Sequence, residues 1–550
     1  MFDEALRPLE LDLGRRIDLI DWFPRHPNIR ILVVVDAEIG ISESGGFGVG
    51  RVIKLLRETN VGCTSFQVDV AVRDSRPFGE NQQPDPYQPH YVGFRFDSIA
   101  GGGAAVVNQY HELFLFGFKP SNSGSSSDQE IDQPQAIPAS DAELAVLERF
   151  MREGKGGVFG TGDHHFLGAS MCRRIPRLGT MRKWTNKDGV PTIGGKTRID
   201  TNQPFTPSEL DGSSIISTSR QGDAQPQPIE WVVDSQTQLG FTVQRRPHPI
   251  LCHPTHGPID VMPDHAHEGL VNVPADIDFT ATYDFGSGQH REYPNVGSVP
   301  LQPKVIAWGR TVPDPPFMQA KGAIDPLRFP MISVYDGHRA SVGRVVTDST
   351  WHHWFNVNIT GIEAAADKTH WDKISRFFVD VATWLAPPGV FASRCWWEIP
   401  VARVGEFGLQ EYAPNRSTLE LGQAFRTHLT TIYGVCWVRE FVLQNICDLQ
   451  PKLCEYLRDR EVVDPRSPVC LSCPPWEVIE AEVLGGMVKG SARTVDRFLN
   501  ALDTPVRARE QSLATQDLRA SAQKGAAASL TRLNKNVSKE LALSARAFAP

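Results

Sequence analysis

The chain has 550 residues, of which 41% are hydrophobic and 22% charged, with a formal net charge of -8; this is an ordinary globular composition, long enough for two cores. A mild acidic excess without a basic cluster gives no footprint for nucleic acid or for an anionic membrane, so neither is expected as a partner. No run approaches the roughly 20 apolar residues of a membrane span, MFDEALRPLELDLGRR places acids where a secretion signal carries bases, and nine cysteines are too sparse for a disulfide framework, so a cytoplasmic location is expected.

In chain order, Ile31 to Val35 form a continuous branched apolar run ending at Asp36, which predicts a central parallel strand covered on both faces. SESGGFGVGRVIKLLRETN follows as a glycine-rich turn and an amphipathic helix with Val52, Ile53, Leu55 and Leu56 on its apolar side. Val61 to Val72 alternate as a second strand, and Glu112 to Phe118 read as a further buried one. Residues 73 to 104 read as a long excursion, and 119 to 139 as a flexible polar loop by composition. Ser140 and Glu143 make a capping box for a helix striped by Leu144, Leu147, Phe150 and Met151.

That helix leads into GGVFGTGDHHFLG, Gly156 to Gly168: a short apolar strand, a tight turn, and then Asp163, His164 and His165. Residues from about 170 to 300 are turn-rich, and a large loop-rich insertion is expected there. KVIAWGR and the hairpin pair PMISVYDGHR and VGRVVTDST return to strands. Gly343 to Asn356, GRVVTDSTWHHWFN, then repeats the earlier pattern of strand followed by Asp348, His352 and His353. One helix is predicted from about Ile362 to Leu385, stopped by Pro387 and Pro388. The domain boundary is placed there, giving an α/β domain over 1–388 and a helical C-terminal domain over 389–550.

The strand ILVVVD, the strand ELFLFGF, the helix before GGVFGTGDHH and the late hairpin GRVVTDST with its following helix resemble the class I glutamine amidotransferase-like fold, and within it the ThuA-like proteins. The resemblance covers about two-thirds of the chain at the level of pattern. It implies a flavodoxin-like, doubly wound, mostly parallel sheet carrying the insertion, followed by the all-α domain. In amidotransferases of this fold the turn after the strand carries a nucleophilic cysteine. Here Gly162 takes that place and the nearest cysteine is Cys172, so a cysteine-dependent glutaminase is not expected. The ThuA-like branch implies a hydrolase or isomerase of a small polar, carbohydrate-related substrate. The rival expectation is a non-catalytic ligand-binding or assembly module whose helical domain mediates contacts, including homo-oligomers.

The fold would bring Asp163, His164, His165, Asp348, His352 and His353 to the C-terminal edge of one sheet, where open α/β sheets bind ligands. Imidazole and carboxylate serve as general acid and base, or hold a divalent Zn or Mn, or Fe, for which His165, Asp348 and His352 are the expected ligands; the alternative is that these histidines cap helices. Asp36, Glu38 and Gly162 are expected to face the same cleft. His248 to Gly269 hold five of the chain's 16 histidines, and His265, His267 and Glu268 are ligand-binding candidates, against the alternative of a solvated loop. In Ser44 to Gly50 the glycines miss the dinucleotide spacing, which favours a tight turn over an anion site. Cys470 and Cys473 have zinc-ligand spacing, whereas Cys447 and Cys454 would share one helical face and suit either zinc or core packing.

Overall fold

In the computed structural model the described residues are 28–36, 39–73, 88–117, 138–162, 168–184, 226–239, 242–263, 270–310, 328–405, 416–461, 476–501 and 507–547. The chain is mixed α/β, with a large central sheet and a helical C-terminal region. The sheet is built on β1 (Asn28–Val35), β2 (Thr64–Val72), β3 (Glu112–Phe116), β4 (Gly157–Thr161), β5 (Gln227–Trp231), β6 (Val261–Met262), β7 (Lys304–Arg310), β8 (Arg328–Tyr335) and β9 (Val345–Asp348). Its order is β6-β5-β7-β8-β9-β4-β3-β1-β2, with two-residue pieces at Asn60–Val61 and Tyr91–Val92 pairing to β2.

β2, β1, β3, β4 and β9 run parallel, and β8, β7, β5 and β6 extend the sheet antiparallel. β1 lies between two parallel neighbours and is buried from Ile31 to Val35, as its unbroken apolar run requires. Its side chains alternate between two cores. Ile31, Val33 and Val35 pack with α1 (Gly50–Glu58) and α6 (Thr369–Leu385), while Leu32 and Val34 pack with α2 (Asp141–Arg152). α2 starts at the expected capping box, with Ser140 and Glu143 each bonding the other's backbone N–H; the one-turn helices α3 (Ala169–Cys172) and α4 (Leu178–Met181) follow β4.

The structure corrects four expectations. The second strand is a hairpin, with a turn at Gly62 and Cys63 between Asn60–Val61 and β2. The single helix up to Leu385 is two, α5 (Asn356–Ala364) and α6, because Asp367 Oδ1 accepts from the Thr369 N–H at 2.9 Å and starts a new helix. The span around 170–300 contributes β5 and β6 to the central sheet rather than loops alone. Cys447 and Cys454 do not share a helix: they sit on consecutive helices α9 (Val435–Leu449) and α10 (Pro451–Glu461) and form a disulfide. Neither is therefore available as a thiolate ligand, and Cys470 and Cys473 lie outside the described residues.

Pro387 and Pro388 end α6, and Pro388 opens α7 (Pro388–Gly405), where its missing N–H costs nothing. α8 (Thr418–Tyr433), α9, α11 (Trp476–Ala501) and α12 (Arg507–Ala547) complete the helical region. The apolar core runs without a break from β1 through Trp396 and Phe425 to Leu530. Glu398 is buried at the junction, where it accepts from the Cys63 N–H at 2.7 Å and the Tyr433 hydroxyl at 2.9 Å. No helix among the described residues is long and apolar enough to cross a membrane.

Candidate functional site

The C-terminal ends of β4 and β9 are neighbours, with Thr161 opposite Asp348 in parallel register. Beyond them the two turns are bonded: the Trp351 N–H donates to the Gly162 carbonyl at 2.8 Å, and Thr161 Oγ1 donates to the Asp348 carbonyl at 3.3 Å. The two stretches with matching patterns therefore meet at their strand ends. Asp163, His164 and His165 lie outside the described residues, as does Glu38.

Asp348 has no accessible surface. His353 Nδ1 lies 2.9 and 2.8 Å from its two carboxylate oxygens, and the Trp354 indole N–H donates to Oδ2 at 3.0 Å. A carboxylate in contact with Nδ1 makes that nitrogen the protonated one and leaves the acid–base role to Nε2. Trp354 fixes the pair in place, because its ring packs on Phe159 at 4.3 Å, Phe378 at 4.7 Å and Phe116 at 5.7 Å. His352 takes a different role: its backbone N–H is capped by Thr350 Oγ1 at 3.0 Å, Nδ1 sits 3.3 Å from Asn358 Oδ1, and its ring stacks on Trp351 at 4.3 Å.

Among the described residues no three histidine, cysteine or acidic side chains converge as a metal would need. Asp348 is turned to His353 and His352 to Asn358, so these two do not fit a shared cation, and His165 lies outside the described residues.

The glycine-rich turn at Ser44 to Gly50 is bonded to the segment that follows His353, with the Asn356 and Val357 N–H groups donating to the Gly48 and Gly46 carbonyls at 2.7 and 2.9 Å. A Cβ on Gly50 would collide with the Ser42 backbone, so only glycine allows this approach. Asn356 spans the gap. Its Oδ1 accepts from the second amide of α1, Arg51 N–H, at 2.9 Å, while Nδ2 donates to the Ser42 and Gly45 carbonyls at 2.8 and 2.6 Å. The helix N-terminus that an anion would use is thus capped by a side chain, in agreement with the tight-turn reading.

On the other face of the sheet, Arg182 is buried and donates to the Ser349 carbonyl at 3.2 and 2.6 Å while its guanidinium lies 4.5 Å from the Trp184 ring centre. Asp36 is buried at the end of β1. Cys172 is buried too, and burial pushes its thiol up, the opposite of what a nucleophilic thiolate needs. Gly168, at φ 92°, closes the turn against Gly117.

No protein-family profile, curated protein or solved structure matches the chain.

The histidine-rich segment divides. His248 Nδ1 accepts from the Ile250 N–H at 3.3 Å, and His253 Nδ1 from the Thr255 and His256 N–H groups at 3.1 and 3.0 Å, so these rings cap turns. Burial holds both at a pKa of about 4. His265, His267 and Glu268 lie outside the described residues. Sequence reasoning missed Trp354, Asn356 and Arg182. The first two stand within three residues of His353 and were legible as neighbours, whereas nothing local marks Arg182.

Proposed function

We propose that the chain is an enzyme, a hydrolase or isomerase of a small polar substrate, working at the C-terminal edge of β4 and β9. The observation that carries this reading is the Asp348–His353 pair, a carboxylate bonded to Nδ1 with an indole donor holding the carboxylate in place. That arrangement fixes one tautomer and leaves Nε2, itself buried, as the general base or acid of this reading, for a water in hydrolysis or for a carbon-bound proton in isomerisation. Asp163, His164 and His165, next in the chain after Gly162, supply the remaining acid–base groups in this reading.

The parallel strand order β2-β1-β3-β4-β9 follows the 2-1-3-4-5 order of flavodoxin-like sheets. It supports a glutamine amidotransferase-like, ThuA-like relationship in which the span of about 170–300 is the insertion. A carbohydrate-related substrate belongs to the same reading.

A second reading, a non-catalytic ligand-binding or assembly module that includes homo-oligomers formed through the helical region, is favoured by the complete burial of both Asp348 and His353. Turnover separates the two. Screening the purified chain against esters, lactones and reducing sugars is expected to show hydrolysis or isomerisation that His353→Gln abolishes. Binding of such compounds without turnover, unchanged in His353→Gln, would favour the module.

A further inference from the structure

A cavity of about 700 Å³ opens at the opposite edge of the sheet, between the end of β8, the start of β7 and α9. It lies beyond the Tyr335–Val345 end of the β8–β9 hairpin, whereas Asp348 lies at the Ile332 end, so it is separate from the site described above. Its volume is in the range of small-molecule sites.

The polar wall is assembled from distant parts of the chain. Lys304 Nζ meets Asp234 at 3.2 Å. Arg344, itself buried, reaches Asp336 at 2.8 Å and Glu440 at 2.7 Å and also donates to the Trp384 carbonyl at 2.9 Å. The side chains of Asp234, Asp336 and Glu440 nevertheless stay 24%, 23% and 18% accessible, and all three line the cavity. Each therefore has a cation on one side and open space on the other.

His248 lies between these groups and is only 6% exposed. Because Nδ1 accepts from the Ile250 N–H, the ring proton sits on Nε2, and no described residue accepts from it. Burial keeps the ring neutral above a pH of about 4. The ring lines the cavity, so this N–H is placed to donate to a molecule bound there. Trp308 adds apolar wall, whereas Trp384, at 1% exposure, is covered by Arg344 and His248.

The charge pattern selects among ligands. The three carboxylates Asp234, Asp336 and Glu440 are balanced by Lys304, Arg339 and Arg344, so an entering ion would lose its hydration without finding a net counter-charge. Paired carboxylates still have lone pairs for hydroxyl donors, and Lys304 with His248 Nε2–H can donate to hydroxyl oxygens. The geometry points to a binding site for a small, neutral, polyhydroxylated molecule, with hydroxyls donating to Asp336 and Glu440, accepting from His248, and carbon-bound hydrogens lying on Trp308. This inference does not depend on the proposed catalysis.

Saturation-transfer NMR on the full chain tests it, with myo-inositol, D-mannitol and D-glucose as probes and glycine and choline as zwitterionic and cationic controls. At least one polyol is expected to receive saturation, with glycine and choline receiving none. His248→Phe keeps the ring volume and removes the donor. It is expected to weaken polyol binding about fivefold, the size of one lost hydrogen bond. Lys304→Met, at a side chain 60% accessible and therefore safe for folding, is expected to weaken it by a similar factor. No saturation of any polyol, stronger saturation of glycine or choline, or polyol binding unchanged in Lys304→Met would each overturn the proposal.

Discussion

The backbone N–H of Trp351 donates to the carbonyl of Gly162 at 2.8 Å, joining the turns that follow β4 and β9. The bond carries the chain round so that Asp348 receives both His353 Nδ1 and Trp354 Nε1. Asp348→Ala would leave a buried imidazole and indole without their acceptor, at a cost of roughly 3 to 5 kcal/mol. Urea unfolding is expected to show that loss; a change below about 1 kcal/mol would mean the pair is not formed.

Acid should weaken the fold through His248. Burial puts its folded pKa at about 4, below the unfolded value of about 6.5, so the neutral ring is favoured by folding. Its contribution is complete above about pH 6.5 and is lost as the pH falls towards 4, with an upper value on the order of 3 kcal/mol. Urea midpoints measured between pH 7 and 4.5 are expected to fall less steeply in His248→Gln than in wild type. Parallel curves would remove His248 as the cause.

The Cys447–Cys454 bridge closes a short loop across the α9–α10 turn, at a sequence separation of 7. Loop-closure entropy for so short a segment is worth about 2 kcal/mol. Cys454→Ser is expected to lower unfolding stability by that order under non-reducing conditions and by almost nothing in reductant. Mass spectrometry of the unreduced peptide containing both cysteines should show it two hydrogens lighter than the reduced form.

Thr347 lies in the middle of β9 with no accessible surface, and its hydroxyl has no hydrogen-bond partner. Replacing an unpaired buried hydroxyl by a methyl of the same shape is neutral or favourable by up to about 1 kcal/mol. Thr347→Val should therefore keep or raise the melting temperature. A clear drop would show that an ordered water satisfies the hydroxyl.

Much of this architecture was readable because its causes are local. The apolar run of Ile31 to Val35 needs cover on both faces, and the Ser140–Glu143 pair can only start a helix. The break between α5 and α6 was hidden by Ala364, Ala365 and Ala366, which favour helix, while the stop comes from Asp367, whose side chain accepts from the Thr369 N–H where α6 begins. β5 joins the sheet by pairing with β7 across some 75 residues of chain, for example Trp231 with Ala307. No local pattern specifies that contact. At the site, the sequence named Asp348, His352 and His353 together, but it could not say which histidine the carboxylate would take. The first helical turn after Thr350 decides it, turning His352 to Asn358 and His353 to Asp348.

Asp348 acts by orienting His353 in the proposed reaction, and a double-mutant cycle on turnover tests this most directly. With the substrate found by screening, kcat/KM would be measured for Asp348→Asn, His353→Gln and the double variant, with melting curves to check that each folds. A loss of about a hundredfold or more is expected in each single variant and little further loss in the double, because general acid–base catalysis by one oriented group is lost only once. Losses that multiply, or folded single variants that keep wild-type rates, would contradict it.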